Sequence, residues 1–104
     1  MSAERLQAIR VIWGECEADG VHFTSDPFTE DPLGGPKSRQ RGVLWLSRDL
    51  SLRILGCPAC GSLSTPTKHT ITVHEDGTLS LYASVLTPCC GAHFFVERSR
   101  IRWC

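Results

Sequence analysis

After Gly42, apolar and polar residues alternate with a period of two in several short runs, as expected for half-buried strands, whereas Val43–Ser47 is a compact apolar run. Between two such runs, Glu75-Asp76-Gly77 is typical of a tight hairpin turn, because glycine tolerates a positive φ. The pattern predicts a mostly antiparallel β structure. The predicted strands are Val43–Ser47, Leu50–Gly56, Thr70–His74, Thr78–Tyr82, Phe94–Val96 and Ile101–Trp103.

The first 24 residues fit two structures. Ile9, Val11 and Trp13 alternate as in a strand, and Ala18-Asp19-Gly20 is a turn signal before a second short apolar run. Leu6, Ile9 and Ile12 also lie near helical spacing. We favour strand, turn, strand, with a helix over the first sixteen residues as the alternative. Proline and glycine then predict an irregular loop over residues 25–42.

The length fits one domain, covering residues 1–104, with an N-terminal segment and loop (1–41) and a β module (42–104). A core of this size is thin and often needs a metal or disulfide to stabilise it. The residues expected to be buried in the β module are Leu44, Leu46, Leu52, Ile54, Ile71, Val73, Leu79, Leu81, Phe94, Val96 and Trp103.

Composition narrows the classes of function. The net charge of +0 gives no general electrostatic attraction for nucleic acid. No apolar run is long enough to span a membrane, and the start Met1–Leu6 lacks the features of a secretory signal. We therefore expect a cytoplasmic protein, in which six cysteines favour metal binding over disulfides.

Two short motifs carry the metal prediction, Cys57-Pro58-Ala59-Cys60-Gly61 and Cys89-Cys90-Gly91-Ala92-His93. A rubredoxin-like knuckle presents two ligands from one tight turn, and the glycine after the second cysteine lets the turn close. Cys90-x-x-His93 has the same gap as Cys57-x-x-Cys60. The motifs predict one structural Zn²⁺ bound by Cys57, Cys60, Cys90 and His93 in a zinc-ribbon-like fold.

Two alternatives to this ligand set stay open. Cys89 can pair with His93 at a gap one residue longer, and Cys104 can replace His93 if the final strand folds back over the site. Cys16 is expected to be an ordinary thiol. The histidines outside the motifs, His22, His69 and His74, are expected to be surface or packing residues.

An enzymatic role for these two cysteine motifs fits the surrounding sequence poorly. A dithiol redox centre needs a helix after the first cysteine pair, and Ser62–Thr67 does not predict one. Zinc deaminases need a His-x-Glu motif, which is absent from the sequence. A catalytic zinc keeps an open ligand position, whereas four good ligands close the site. We therefore expect no enzyme activity, with a metal-dependent enzyme as the remote alternative.

From Arg41 to Cys104 the chain resembles an uncharacterised family of small bacterial and phage domains. The resemblance lies in Gly42–Ser47, Cys57–Gly61, Ser80–Val85, Cys90–Val96 and Ile101–Trp103, in that order. Ala83 replaces the usual proline, Arg98-Ser99 replaces an Asn-Gly-like turn, and the first knuckle lacks a tighter Cys-Gly-Cys ending. The resemblance implies zinc bound through Cys90 and His93. Some members lie beside bacterial ubiquitin-like conjugation genes, which implies an accessory role.

These observations predict a non-enzymatic accessory module that binds a protein partner in a bacterial or phage-infected cytoplasm. The main alternative is a zinc-ribbon nucleic-acid binder. In that case Arg98, Arg100 and Arg102 would share one face of the last strand, close to the stacking aromatics Phe94, Phe95 and Trp103.

Overall fold

In the described part of the chain, strands and turns account for the regular structure. The computed structural model describes residues 5–25, 41–87 and 90–104, and no helix occurs among them. The prediction of a mostly β protein is confirmed. The strands are β1 (Arg10–Glu17), β2 (Gly20–His22), β3 (Val43–Ser47), β4 (Arg53–Gly56), β5 (Leu63–Ser64), β6 (Thr70–Val73), β7 (Leu79–Leu86), β8 (His93–Glu97) and β9 (Arg100–Trp103).

The strands form two sheets. The first has the order β2-β1-β3-β4-β5, and the second is a meander with the order β6-β7-β8-β9. Among the described strands, every pairing is antiparallel except that of β1 with β3, in which Arg10 lies opposite Val43 and Gly14 opposite Ser47. Neighbouring strands can run parallel when a long connection separates them, and residues 23–42 lie between β2 and β3. The alternation of apolar and polar residues within each strand does not predict this parallel pairing of β1 with β3.

The N-terminal region confirms the predicted strand, turn, strand. The helical alternative is wrong for residues 10–16, which belong to β1. Gly14 faces the sheet side where the Phe23 ring packs, since a Cβ built there would lie 2.5 Å from that ring. Of the predicted loop over 25–42, residues 26–40 lie outside the described residues.

Strand β3 lies at the centre of the first sheet and is buried on both faces, as strands covered on both sides are. Leu44 and Leu46 face the main core, which also contains Leu79, Phe94 and Val96 of the second sheet. The main core is therefore shared by the two sheets. Val43 and Trp45 face the opposite side with Ile12 and Ile54. The indole of Trp45 donates a hydrogen bond to the Ser25 carbonyl (2.8 Å).

Residues 5–9 connect the two sheets. Ala8 forms a bridge with Arg100, the amide of Ile9 donates to the Ser99 carbonyl (2.8 Å), and the amide of Ile101 donates to the Gln7 carbonyl (2.8 Å). The amide of the next residue, Arg10, donates to the carbonyl of Gly42, which directly precedes β3. The chain therefore passes from the edge of the second sheet directly into the first, and Ile9 enters the shared core.

The predicted core is correct for most positions. Val73 is the clear error, since 45% of it is exposed. It lies on β6, the edge strand of the second sheet, and one face of an edge strand has little to pack against. Leu52, Ile71 and Trp103 are half-buried and pack at the margins of the two cores.

Candidate functional site

Three of the described cysteines, Cys57, Cys60 and Cys90, come together in space. Cys57 follows β4 directly, Cys60 lies in the same turn, and Cys90 lies in the connection between β7 and β8. Their sulfur atoms all lie within 4.8 Å of one another. Cys57 is buried, Cys60 is half-buried and Cys90 is exposed, so the cluster opens to solvent on one side.

The spacing of the sulfurs fits a metal centre. Cys57 Sγ and Cys90 Sγ are 3.7 Å apart. Two thiolates bound to one tetrahedral Zn²⁺ at about 2.3 Å would be about 3.8 Å apart. A disulfide would need a separation of about 2.05 Å. The three cysteines therefore suit a shared metal ion better than a covalent bond.

The fourth predicted ligand, His93, does not join this cluster. Its Nε2 lies 2.9 Å from the hydroxyl oxygen of Ser84. Of the open alternatives, Cys89 lies outside the described residues. Cys104 is exposed, and its thiol is not part of the described three-cysteine group; its amide bonds the His93 carbonyl (3.0 Å). The described residues thus bring together three of the four predicted ligands.

Neighbouring strands position Ser84 and His93. Leu86 lies opposite His93 and Val85 opposite Phe94, but the register between β7 and β8 shifts between Leu81 and Val85. Such an irregularity releases residues from the regular ladder and can aim a side chain in a new direction. Ser84 lies within the shifted stretch. Its hydroxyl reaches the exposed imidazole of His93 across the strand pair.

A second histidine supports the backbone at Ser84. Nε2 of His69 donates to the Ser84 carbonyl (3.0 Å), and the His69 carbonyl accepts from the Arg53 guanidinium (2.7 Å). The buried Nδ1 of His69 has no hydrogen-bond partner among the described residues. His69, expected to be a surface or packing residue, therefore positions Ser84.

Another serine–histidine pair lies at the opposite end of β7. His74 Nε2 is 2.7 Å from Ser80 Oγ. That hydroxyl also accepts from the Arg98 amide (3.0 Å), so it ties the β8–β9 turn to β7. The contacts of Ser80 are those of a structural residue, and the pair provides an internal comparison for Ser84 and His93.

A third group, Glu17, Asp19 and His22, is fully exposed at the β1–β2 turn. The hydrogen bond from His22 lowers the pKa of Asp19, and the same bond raises the pKa of His22. These groups stabilise each other's charged forms, and the cluster needs no ligand to explain it.

The proposed arginine face does not form as expected. Arg98 lies in the turn before β9 with φ 49°, and so does not share the strand with Arg100 and Arg102. Arg102 pairs with Glu97 (2.7 Å) and lies over the Phe95 ring (4.3 Å). Glu97 therefore partly neutralises the charge of Arg102, and the Arg102 guanidinium occupies one face of the Phe95 ring.

A cleft of about 450 Å³ lies beside His93. Arg5 and Trp103 form part of its wall, with the guanidinium of Arg5 stacked 4.9 Å from the indole. Arg41 also contributes, and its Nε donates to the Pro58 carbonyl (3.0 Å). His93 therefore lines the same cleft as two arginines, Arg5 and Arg41.

A serine hydroxyl in hydrogen-bond contact with an accessible histidine is the arrangement that nucleophilic serine hydrolases use. Residues 32–104 match the family model BubE, described as bacterial ubiquitination-like system serine protease, and the chain belongs to that family. Comparisons with curated proteins and with solved structures found no significant match. None of the described residues form a helix long and apolar enough to cross a membrane.

The family match contradicts the prediction about enzyme activity and supports the predicted link to bacterial ubiquitin-like systems. The prediction that the chain is not an enzyme is wrong, because the family is described as a serine protease. The link to bacterial ubiquitin-like systems, implied by the resemblance, is confirmed at that level. Sequence reasoning missed Ser84 because it assigned His93 to the metal. The available signal was a serine and a histidine close in sequence, with Ser84 just after the predicted strand Thr78–Tyr82 and His93 just before the predicted strand Phe94–Val96.

Proposed function

We propose that this chain is a serine hydrolase that cleaves a protein substrate of a bacterial ubiquitination-like system. Ser84 is the nucleophile and His93 the general base. The observation that carries the proposal is the 2.9 Å contact between Ser84 Oγ and His93 Nε2. The family description supplies the reaction class and the kind of system in which the substrate occurs.

The chemistry follows from this contact. As Ser84 Oγ attacks the carbonyl carbon of the substrate, Nε2 of His93 accepts the hydroxyl proton. The same nitrogen then protonates the leaving group as the acyl–serine forms. Water, deprotonated by His93, hydrolyses the ester and regenerates the hydroxyl. Ser84 is half-buried and His93 is exposed, so neither residue is buried in the core.

The cysteine cluster has a structural role in this proposal. The connection that contains Cys90 begins after β7, which carries Ser84, and ends at His93, the first residue of β8. A Zn²⁺ held by Cys57, Cys60 and Cys90 would tie this connection to the turn after β4 and so fix the two reacting side chains. The ion would supply folding free energy, and no chemical step uses it.

A fluorophosphonate probe tests the nucleophile. An activated serine attacks its phosphorus and releases fluoride, and peptide mass mapping identifies the modified residue. We expect the adduct on Ser84, its loss in Ser84→Ala, and labelling slower by a factor of about 10³ or more in His93→Ala. Ser80→Ala and His74→Ala are matched controls, because they remove the second pair without touching the first. Both should label like the wild type.

The second measurement is cleavage of a fusion in which the system's own ubiquitin-like protein is followed by a reporter. Ser84→Ala should abolish cleavage while leaving zinc content and the far-UV spectrum unchanged. An adduct on Ser80, or full cleavage by Ser84→Ala, would refute the assignment.

A further inference from the structure

A second concave feature, a groove of about 430 Å³, runs beside β7 and shares none of its lining residues with the cleft described above. From the first sheet, it is lined by β5 and the residues after it, as far as Pro66. From the second sheet, it is lined by Val85 and Leu86, which follow Ser84 in β7. It is also lined by His69, whose Nε2 donates to the Ser84 carbonyl. The groove therefore lies next to the proposed nucleophile.

The groove and the proposed general base lie on opposite edges of β7. The second sheet has the order β6-β7-β8-β9, so β6 and β8 flank β7 on its two sides. His93 is the first residue of β8, whereas His69 directly precedes β6. The leaving group of a substrate takes its proton from His93 and therefore lies towards β8. The acyl part, which stays on Ser84, is then directed towards the groove.

The groove is lined by apolar side chains that are open to solvent. Leu86 is 64% exposed and Leu63 is 37% exposed. None of the described residues that line the groove is Asp, Glu, Lys or Arg. Leu86 and Ser84 project from the same face of β7, since Val85 between them is buried. Exposed apolar side chains that share a concave surface are typical of a ligand site.

Strand β5 favours a polypeptide as the occupant of this groove. As described, β5 is the last strand of the first sheet. An edge strand offers main-chain N–H and C=O groups to which an extended segment can bind, while its side chains enter neighbouring pockets. A polypeptide whose carbonyl carbon reaches Ser84 Oγ also has to pass close to Leu86, two residues further along β7.

We propose that this groove binds an apolar side chain of the substrate, on the acyl side of the scissile bond. Leu86 and Leu63 are its specificity-determining residues. The inference rests on the proposed function, because it takes Ser84 as the nucleophile. It adds the substrate class, which is a polypeptide with an apolar residue shortly before the cleaved bond.

Two fluorophosphonates that differ only in the alkyl group on phosphorus, methyl or octyl, test the groove in the full chain. Each forms a P–O bond to Ser84 Oγ as fluoride leaves and His93 takes the hydroxyl proton. We expect the octyl probe to label Ser84 at least about tenfold faster, since each methylene removed from water is worth about fourfold in rate. The ratio of the two rates cancels any change in the reactivity of Ser84 itself.

Substitutions in the groove should lower this ratio. Leu86→Ser and Leu63→Ser should each reduce it about threefold or more. Two exposed apolar residues outside the groove provide matched controls, Tyr82 (77% exposed), two residues before Ser84, and Val73 (45% exposed) on β6. Tyr82→Ser and Val73→Ser should keep the wild-type ratio. Far-UV spectra confirm that each variant is folded.

The fusion of the system's ubiquitin-like protein to a reporter extends the test to a polypeptide. Once mass spectrometry has located the cleaved bond, the apolar residues shortly before it are replaced by serine one at a time. One replacement should lower kcat/KM about tenfold in the wild type and by much less in Leu86→Ser, because the contact is already absent there. A cleavage point at which no replacement behaves in this way would overturn the inference.

The probes separate this inference from its foundation. Equal labelling of Ser84 by the methyl and octyl probes would overturn the groove while leaving the nucleophile in place. A ratio that is lost in Tyr82→Ser and kept in Leu86→Ser would overturn it as well. If neither probe labels Ser84 in the folded wild-type chain, the proposed nucleophile fails and the inference with it.

Discussion

Replacing Ile9 with alanine should destabilise the whole described structure. Ile9 is 6% exposed and packs in the core shared by both sheets, at the point where the chain passes from one sheet to the other. The change removes three carbon atoms, which is about 2.4 kcal/mol of transfer free energy at about 0.8 kcal/mol each. The cavity left behind adds to this, so we expect a loss of about 3 kcal/mol in unfolding free energy.

Urea unfolding followed by both tryptophan fluorescence and far-UV circular dichroism measures this loss. Val73→Ala is the control, because Val73 is 45% exposed and its truncation should cost less than about 1 kcal/mol. Both probes should report one shared transition in Ile9→Ala. A loss below about 1 kcal/mol, or one sheet unfolding while the other persists, would refute the view that Ile9 couples the two sheets.

Two further predictions concern hydrogen bonds. Trp103→Phe removes the indole donor to the Leu6 carbonyl (2.9 Å) and should cost about 1 kcal/mol in urea unfolding, while an unchanged stability would show that this bond contributes nothing. Hydrogen bonds from Ser51 and Ser47 lower the pKa of Asp49 from 3.8 to about 2, so Asp49→Asn should reduce stability at pH values above 3.8. That deficit should fade as the pH falls through about 2, and a deficit independent of pH would contradict this origin.

Local patterns were sufficient for the hairpins of the second sheet. Asp76-Gly77 predicted a turn, and Gly77 has the positive φ of 85° that such a turn requires. The alternation after this turn correctly predicted that Leu79 and Leu81 of β7 are buried. Short loops between adjacent strands carry their own signal in the turn residues. The grouping of Cys57, Cys60 and Cys90 was predictable for the same reason, since each lies in a turn next to a predicted strand.

Non-local contacts left no such signal. The parallel pairing of β1 with β3 depends on a packed core and not on any local turn. The pairing of Ser84 with His93 depends on a register shift in β7, and regular alternation cannot anticipate a shift.

The bridge between Ala8 and Arg100 also sets an order of events during folding. The meander of the second sheet closes through short loops, which form early because little loop entropy is lost. The N-terminal segment has to wait for a strand synthesised roughly 90 residues later, which takes about 5–20 s at typical translation rates. Until then Ile9 has no core to enter. We expect this segment to dock last, so that Ile9→Ala accelerates unfolding far more than it slows folding.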